Sequence, residues 1–377
     1  MYHPIRTMKL VIQIKLLEAP PELLDLMTHM NAASTHAARV ALETKTYSHF
    51  TLRNAVYADL KTTYGLGSGA ADLAALRATK TYSDKRRRGQ VVRFRPRAAV
   101  TLDRRLFSYK KGSVVSIWTR SGRIKVPFHC HQDVVLSSMT EAKLVLKNGV
   151  FYLHQAVEVP EAPQFEASDW LGVDLGIKNV AVTSDGDCYT GAHLNSLRKR
   201  KARLRGKLQS KGTKSAKRLL RKLSGKEKRF TSHVNHVISK RVVQKAKDTQ
   251  RGVALEDLKG IRERLGRTKT NPSNAPKSIT VSRPARTALN RWAFSQLRLY
   301  VEYKALRNGV PVRVVCPKYT SQRCSQCGYV AKKNRKTQEH FECGRCGYAA
   351  NADHNAARNI SYVARWGERL HPDAGVA

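Results

Sequence analysis

The sequence predicts a chain of two parts, an all-β barrel interrupted by helices and then an α/β domain into which a zinc ribbon is inserted. Three observations predict this fold class. Strand patterns with tight-turn signals dominate residues 85–163. Buried-strand patterns alternate with helical ones from residue 164 onward. Two Cys-x-x-Cys pairs in the last third of the chain have the spacing of a metal-binding ribbon.

Basic residues dominate the composition. The 377 residues include 70 lysines and arginines against 28 aspartates and glutamates, a formal net charge of +42. Self-repulsion of this size is offset by a polyanion, and nucleic acid is the first candidate. An anionic membrane surface is the alternative, but no strongly amphipathic basic helix with bulky aromatic residues is found. No apolar run reaches membrane-spanning length and no signal peptide is recognised, so we expect a cytoplasmic protein without a membrane partner.

Four of the seven cysteines form the two pairs, Cys324/Cys327 and Cys343/Cys346, with fifteen residues between them. A glycine follows each pair directly, as in the tight turn that brings two thiolates onto one ion. Four sulfur ligands at this spacing favour one tetrahedral zinc in a closed, structural site, because no position is left for water. The sequence predicts free thiols in a reducing compartment for the remaining three, Cys130, Cys188 and Cys316.

The sequence pattern of the N-terminal part predicts one strand, a helical insert and then a run of strands. Residues 9–17 alternate between apolar and polar, the pattern of a half-buried strand. Residues 20–82 change to helical spacing, with separate helices at 50–62 and 70–80. Because a first strand cannot stand alone, we expect it to close a barrel with the later strands. Those are predicted at 113–119, 123–128, 143–147 and 150–159, the last two joined by the hairpin signal Asn148-Gly149.

Arginines are concentrated just after the helical insert. They are Arg86, Arg87 and Arg88 in a run, then Arg93, Arg95 and Arg97 at every second position. The second set is predicted to lie along one strand and to form a basic stripe. Such a stripe is either a solvated edge or a phosphate contact, and the net charge of the chain favours phosphate contact.

The C-terminal part begins after a linker at 160–163. Strands are predicted at 171–175, at 180–183 and after the Asp185-Gly186 turn, a meander of the kind that opens ribonuclease H-type folds. A buried strand at 253–256 is followed by a polar loop, 262–284, which is expected to be mobile without a ligand. The pattern then predicts a helix at 285–308 ending at Gly309, and a strand at 312–315.

The segment between Arg198 and Arg229 is the most basic part of the chain. It holds sixteen lysines and arginines in thirty-two residues and one acid, Glu227. Its leucines keep helical spacing on both sides of Lys211-Gly212, which a disordered basic tail would not do, so we predict a basic helical hairpin over 197–229. The residues that we expect to contact nucleic acid here are Arg203, Arg205, Lys207 and Lys211.

Three carboxylates have unusual positions. Asp174 lies in the first strand of the meander, Glu256 ends a later buried strand, and Asp353 opens the helix after the ribbon. Alone, each has an ordinary explanation, a satisfied structural carboxylate or a helix cap. Together, in the order strand, strand, helix, they are the arrangement that holds two magnesium ions in ribonuclease H-like nucleases. Hard divalent cations need oxygen ligands, and a pair of them activates the attacking water and stabilises the leaving oxygen.

Several segments resemble one family. GVDLGIKN, VALEDLKGI, YTSQRCSQCGY…CGRCG and ADHNAARNI resemble the split RuvC motifs and zinc ribbon of TnpB, the transposon-encoded RNA-guided DNA endonuclease related to the type V CRISPR effectors. The likeness is specific over residues 168–361 and looser before them. On this resemblance, Asp174, Glu256 and Asp353 fall on the catalytic acids of the family. The four paired cysteines fall on its zinc ligands.

The resemblance also implies a domain layout and partners. The expected domains are a wedge barrel at 1–19 and 85–163, a helical recognition lobe at 20–84, a RuvC-like nuclease at 164–315 and 350–377, and a zinc ribbon at 316–349. The barrel is expected to be of the oligonucleotide-binding type. The implied partners are a guide RNA from the transposon end and a double-stranded DNA target beside a short motif. A monomeric ribonucleoprotein that cuts DNA with magnesium is expected.

Two alternatives belong to other classes. A guide-dependent DNA-binding repressor that has lost cleavage would be expected to lack one or more acids, whereas all three are present. A transposase that joins DNA ends fits poorly, because no nucleophilic tyrosine in a histidine-rich motif is evident. The RNA-guided endonuclease is therefore the predicted function.

Overall fold

The computed structural model describes residues 7–84, 88–131, 135–137, 139–260, 287, 289–290 and 292–367. Arg86, Arg87 and the polar loop predicted at 262–284 lie outside the described residues. The chain separates into two compact units, Met1–Pro160 and Glu161–Ala377, and the division falls at the start of the predicted linker. Within the described ranges, no helix is long and apolar enough to cross a bilayer.

The first unit is built on a seven-stranded antiparallel sheet that curls into a nearly closed barrel. Its strands lie in the order β2-β6-β7-β1-β5-β4-β3. The first strand pairs with β7 along most of its length and with β5 at its end, so it joins the later strands as predicted. The strands are β1 (Thr7–Leu16), β2 (Val100–Leu102), β3 (Phe107–Lys110), β4 (Val114–Thr119), β5 (Gly122–Cys130), β6 (Ala142–Lys147) and β7 (Val150–Pro160).

The turn between β6 and β7 confirms the hairpin signal. Asn148 and Gly149 both have positive φ angles, 54° and 81°, as a type I′ turn requires. Glycine takes this conformation freely, and asparagine takes it more readily than most residues. The turn therefore sets the register that pairs Lys147 with Val150 and sends Phe151 and Leu153 into the core.

Three helices interrupt the barrel between β1 and β2. They are α1 (Glu22–Glu43), α2 (His49–Thr62) and α3 (Ser68–Tyr82). Their apolar faces belong to the same buried cluster as the inward side chains of β1 and β4, for example Leu26, Leu52, Ile12 and Ile117. The helical insert that the sequence predicts for 20–82 is confirmed.

The strand predicted for Arg93, Arg95 and Arg97 is wrong. Residues 91–95 form no strand, and 96–98 form a turn. Pro96 has no N–H to donate to a sheet, and side chains of α1 supply the hydrogen bonds instead. Asn31 Nδ2 donates to the carbonyls of residues 96 and 98, at 3.0 and 2.9 Å. The alternation itself survives, because all three arginines remain exposed on this extended segment.

The second unit contains a five-stranded mixed sheet in the order β10-β9-β8-β11-β12. The first three strands form the predicted antiparallel meander, and β11 runs parallel to both β8 and β12. The strands are β8 (Trp170–Asp174), β9 (Asn179–Thr183), β10 (Cys188–Thr190), β11 (Gly252–Glu256) and β12 (Val312–Val315).

The basic hairpin is present where the sequence predicts it. It consists of α4 (Ala192–Lys211) and α5 (Lys214–Asp248). Gly212 ends α4 in the left-handed conformation, at φ 63°, and Thr213 caps α5 by accepting a hydrogen bond from the Ala216 N–H at 3.2 Å. The second half of α5 packs its apolar face into the core of the unit.

The helix predicted at 285–308 is interrupted before residue 294. Residues 287, 289 and 290 are helical. The continuous part is α6 (Phe294–Asn308), and Gly309 ends it as predicted, at φ 68°. Residues 292 and 293 are not helical, and Ala293 has φ −93° and ψ 42°. This turn lets Trp292 and Phe294 both enter the core, with their ring centroids 4.8 Å apart. A continuous helix would hold successive side chains about 100° apart around its axis.

The ribbon segment follows β12 and leads into the last helix. Its short hairpin, β13 (His340–Glu342) and β14 (Ala349–Asn351), is followed by α7 (Ala352–Trp366). Helix α7 lies so close to β8 that a Cβ on Gly172 would stand 2.0 Å from the Ala357 carbonyl oxygen. Glycine at this position therefore allows the helix to dock on the sheet.

Candidate metal sites

The four paired cysteines lie together in one cluster. Their sulfur atoms are all within 4.8 Å of one another. Cys324 Sγ is 3.8 Å from Cys346 Sγ, and Cys327 Sγ is 3.6 Å from Cys343 Sγ. Zinc–sulfur bonds of about 2.3 Å at tetrahedral angles separate sulfurs by about 3.8 Å. The cluster therefore fits one zinc ion, and no disulfide joins any of the seven cysteines, all of which are described.

Two equivalent turns build this cluster. In each turn the glycine N–H after the pair donates to the carbonyl of the first cysteine, at 3.0 Å. The first cysteine N–H in turn donates to a tyrosine carbonyl just beyond that glycine, Tyr329 at 2.9 Å and Tyr348 at 2.8 Å. Gly328 and Gly347 have φ angles of 77° and 72°, which explains the glycine after each pair.

The three carboxylates meet at one edge of the mixed sheet. Strands β8 and β11 are parallel neighbours, so Asp174 and Glu256 at their carboxyl ends share that edge. Helix α7 brings Asp353 to the same place in its first turn, where Asn351 caps the helix by accepting from the Asp353 N–H at 3.0 Å. Glu256 and Asp353 are buried, and Asp174 is half-buried.

The carboxylates line a cleft of about 710 Å³. Among the described residues, the four cysteines form the one group of three or more potential metal ligands whose ligand atoms all lie within 4.8 Å of one another. The three acids are not all within this distance of one another, and all three line the cleft. Space of this kind is what a hydrated divalent cation and a phosphate need.

The electrostatics of the cleft disfavour three bare negative charges. Burial, together with the charges of Glu256 and Asp353, raises the pKa of Asp174 to about 8. Burial also raises the pKa of Glu256, while the Thr320 hydroxyl and Arg335 oppose that rise. A buried carboxyl group with a raised pKa, in a cleft beside other carboxylates, is typical of a functional site.

Three polar side chains hold the carboxylates, and none of them was among the predicted site residues. Thr320 Oγ1 donates to Glu256 Oε1 at 2.5 Å, and Asn179 Nδ2 donates to Asp353 Oδ2 at 3.0 Å. Arg335 Nη2, from the ribbon, donates to Asp353 Oδ1 at 3.1 Å. The first two lie inside segments that carry the family resemblance, so the sequence offered a signal. Arg335 is one of 70 basic residues and had none.

The residues predicted to contact nucleic acid differ in whether another part of the protein already engages their side chains. Arg203, Lys207 and Lys211 are exposed on α4, whereas Arg205 pairs with the buried Glu227 across the hairpin at 3.0 Å. In the first unit, Arg93 and Arg95 are exposed, while Arg88 lies over the Tyr47 ring at 4.9 Å and donates to the Tyr82 carbonyl.

Fold and sites together define a class of α/β protein with an acidic cleft at the carboxyl edge of a mixed sheet and a four-cysteine ribbon. Residues 154–260 match the family model described as a probable transposase, and residues 294–360 match the Cas12f1-like TNB domain. The chain is 31% identical over 312 residues to the putative RNA-guided DNA endonuclease InsQ of Escherichia coli, which covers 75% of this chain and 70% of that protein. The chain belongs to the TnpB family.

Other relatives are matched over shorter stretches. The TnpB-like protein of Methanocaldococcus jannaschii is 32% identical over 183 residues, 48% of this chain and 60% of that one. The CRISPR-associated endodeoxyribonuclease Cas12f1 of Syntrophomonas palmitatica is 29% identical over 237 residues, 51% of this chain and 44% of that one. The matched stretches thus span 44% and 60% of the lengths of these two relatives.

Solved structures share the fold. The Cas12f1–sgRNA–target DNA complex matches with a TM-score of 0.57 at 17% identity, over 90% of this chain and 82% of that one. CasPhi-2 (Cas12j) bound to crRNA matches with a TM-score of 0.52 at 10% identity, over 97% of this chain and 99% of that one. At identities this low, the likeness concerns the fold alone.

Proposed function

We propose that this protein is an RNA-guided DNA endonuclease that hydrolyses phosphodiester bonds at the acidic cleft. The observation that supports this most directly is the meeting of Asp174, Glu256 and Asp353 at one sheet edge, where burial and then the charges of the other two acids raise the pKa of Asp174. Such a cluster gains stability from divalent cations, and magnesium prefers carboxylate and water oxygens. Membership of the TnpB family supports nucleic acid as the substrate.

The three carboxylates are the proposed magnesium ligands. Two bound ions would supply an activated water and a counter-charge for the leaving oxygen. Asn179 and Thr320 keep Asp353 and Glu256 oriented through the hydrogen bonds described above. Arg335 lines the same cleft and, once its carboxylate partner binds a cation, is free to pair with a phosphate oxygen.

The zinc ion is proposed to have a structural role. Four cysteine ligands leave no open coordination position, so zinc has none for a water or a substrate. The ribbon supplies Arg335 to the cleft and is joined to α7, the helix that carries Asp353. A zinc-stabilised ribbon therefore supports the acidic cleft from one side.

The proposed partners are a guide RNA from the transposon end and double-stranded DNA. The charge of +42 and the exposed lysines and arginines of α4 suit polyanions that are recognised mainly through their backbones. We assign residues 164–315 and 350–377 to a RuvC-like nuclease, 316–349 to the ribbon, and 1–19 and 85–163 to an oligonucleotide-binding-type wedge barrel around a recognition lobe at 20–84. A monomeric ribonucleoprotein acting on DNA in the cytosol is the proposed working form.

The test begins with the RNA that co-purifies with the full chain. Sequencing that RNA is expected to give one species ending in a segment that can be reprogrammed. A plasmid carrying the matching target, with a randomised flank to reveal the adjacent motif, is then expected to be cut in magnesium. Guide-dependent binding without cutting would instead indicate the repressor, and the absence of any bound RNA would contradict the proposal.

A further inference from the structure

Two asparagines are buried in the middle of helix α7. Asn355 is 0% exposed and Asn359 is 1% exposed. Asparagine is a poor helix former, and burying its amide without partners is costly. Both amides therefore need partners in the surrounding structure, and both find them on the backbone of residues 320–325, in the ribbon.

Asn355 grips the backbone on both sides of a zinc-ligand cysteine. Its Nδ2 donates to the carbonyl of Arg323 at 2.8 Å, and its Oδ1 accepts from the N–H of Ser325 at 2.9 Å. Cys324 lies between these two residues. An amide has both the donor and the acceptor that this grip requires, and no aliphatic or carboxylate side chain has both.

Asn359 continues the connection toward the carboxylates. Its Nδ2 donates to the carbonyl of Arg323 at 2.7 Å and to that of Thr320 at 2.8 Å. Thr320 is the residue whose hydroxyl donates to Glu256. The residue before it, Tyr319, has a φ of 64°, a strained conformation for a tyrosine that persists only where the surroundings hold it.

We infer that Asn355 and Asn359 are positioning residues that couple the order of the zinc ribbon to the divalent-cation site. The path of hydrogen bonds runs from the backbone around Cys324, through the two amides, to Thr320 and so to Glu256. The same helix carries Asp353, so one rigid element holds both the ribbon and a proposed ligand. This inference rests on the proposed function, in which Glu256 and Asp353 bind the cations.

The experiment measures manganese binding by the full zinc-loaded chain, using electron paramagnetic resonance. Asn359→Ala is expected to weaken binding by about tenfold, the lower end of the range for groups that orient metal ligands. The matched control is Ser361→Ala on the same helix, which removes a 2.6 Å hydrogen bond to the Trp170 carbonyl but does not touch the ribbon. If the alanine variants fold poorly, the same measurement is made on Asn355→Asp, which keeps the side-chain size and the acceptor for Ser325.

Zinc removal supplies the second arm. Stripping zinc from the parent is expected to weaken manganese binding, and stripping it from the Asn355→Ala/Asn359→Ala chain is expected to weaken binding little further, because the path is already broken. A parent that binds no manganese would overturn the proposed function itself. If the asparagine variants bind manganese as tightly as the parent does, this inference alone is overturned. It is also overturned if Ser361→Ala weakens manganese binding as much as the asparagine variants do, at an equal loss of thermal stability.

Discussion

The cysteine cluster and the acidic cleft are two candidate metal sites of opposite construction within one unit. The cysteines come from residues 324–346, and two local turns place them. The acids come from two parallel strands and a helix spread over residues 174–353. The first site can form from a short segment and an ion, whereas the second exists only when the sheet is complete.

The two sites also differ in what they do to stability. Zinc bound by four cysteines contributes folding free energy directly, about 10–16 kcal/mol in small zinc domains. The acidic cleft is expected to cost stability in the metal-free fold, because burial raises the pKa values of Asp174 and Glu256 and neighbouring carboxylates add to the rise at Asp174. A structural site is thus built to hold the chain together, and a proposed catalytic site is held in place by other parts of the chain.

The largest effect is expected from removing an acid. Asp174→Ala deletes a proposed ligand of the cations. Loss of a group that only orients a metal ligand costs up to about 100-fold, so loss of the ligand itself is expected to reduce cleavage by more than that. Binding of guide and target is expected to stay near the parent level, because basic side chains elsewhere supply it. Cleavage and binding are measured on one preparation. Glu256→Ala and Asp353→Ala are expected to behave alike.

Asp169→Ala is the matched control, since Asp169 lies just before the opposite end of β8. It is expected to cut like the parent. An Asp174 variant that still cuts at nearly the parental rate would show that the carboxylates are not the site of chemistry.

The next effect is expected at the cysteines. Cys324→Ser or Cys346→Ser is expected to lower the zinc content from about one ion per chain, to destabilise the ribbon and α7, and to reduce cleavage because Asp353 and Arg335 are displaced. Zinc analysis and thermal unfolding check this. Cys316→Ser, an exposed cysteine outside the cluster, is the control. A zinc-free chain that stays folded and active would contradict a structural role.

A smaller effect is expected for the stability of the magnesium-free, zinc-loaded protein. Here the substitution, at Asp174, is expected to stabilise the fold, whereas the cysteine substitutions destabilise it. Between about pH 4 and pH 8 the folded chain keeps a proton on Asp174 that the unfolded chain has released. The free energy of unfolding therefore falls as pH rises through this window, by up to about 1.4 kcal/mol per pH unit from this group. Asp174→Asn removes the contribution of this group and is expected to be more stable than the parent at pH 8.

Denaturant unfolding at pH 5 and pH 8 measures this difference. Magnesium is expected to reverse it, since cations bind the ionised carboxylate and stabilise only the parent. If the parent and Asp174→Asn show the same pH dependence, the acidic cleft carries no unfavourable charge and the contrast with the cysteine cluster fails.

The smallest effect lies outside both sites, on the basic hairpin. Arg203, Lys207 and Lys211 are exposed, so changing all three to glutamine is expected to flatten the logarithmic salt dependence of duplex binding by up to about 2.7, at about 0.9 per phosphate contact. Preference for a matched over a mismatched target is expected to persist, because backbone contacts carry little sequence information.

Arg205→Gln is the control within the same helix. It breaks the ion pair with Glu227, so it is expected to lower hairpin stability more than it changes the salt slope. An unchanged slope in the triple variant would mean that the exposed face of α4 does not meet phosphate. Loss of the preference for the matched target would mean that it reads sequence.

Elements that depend on local patterns were predictable. The Asn148-Gly149 hairpin, the bend at Gly212, the end of α6 at Gly309 and the four-cysteine cluster follow from residue types at fixed spacing. Where long-range contacts compete with a local pattern, prediction failed. The alternation around Arg95 suggested a strand, but Asn31 on a distant helix takes the backbone hydrogen bonds of that segment.

By itself the sequence determined the charge, the cysteine spacing, the identity of the three acids and their likeness to one family. The tertiary structure alone decided that Arg335 faces Asp353, that Thr320 orients Glu256, and that buried asparagines of α7 join the ribbon to the cleft. The reason is physical. A local motif fixes its geometry through short-range turns and ligand spacing, whereas the partner of a buried polar group is set by which distant surfaces the fold brings into contact.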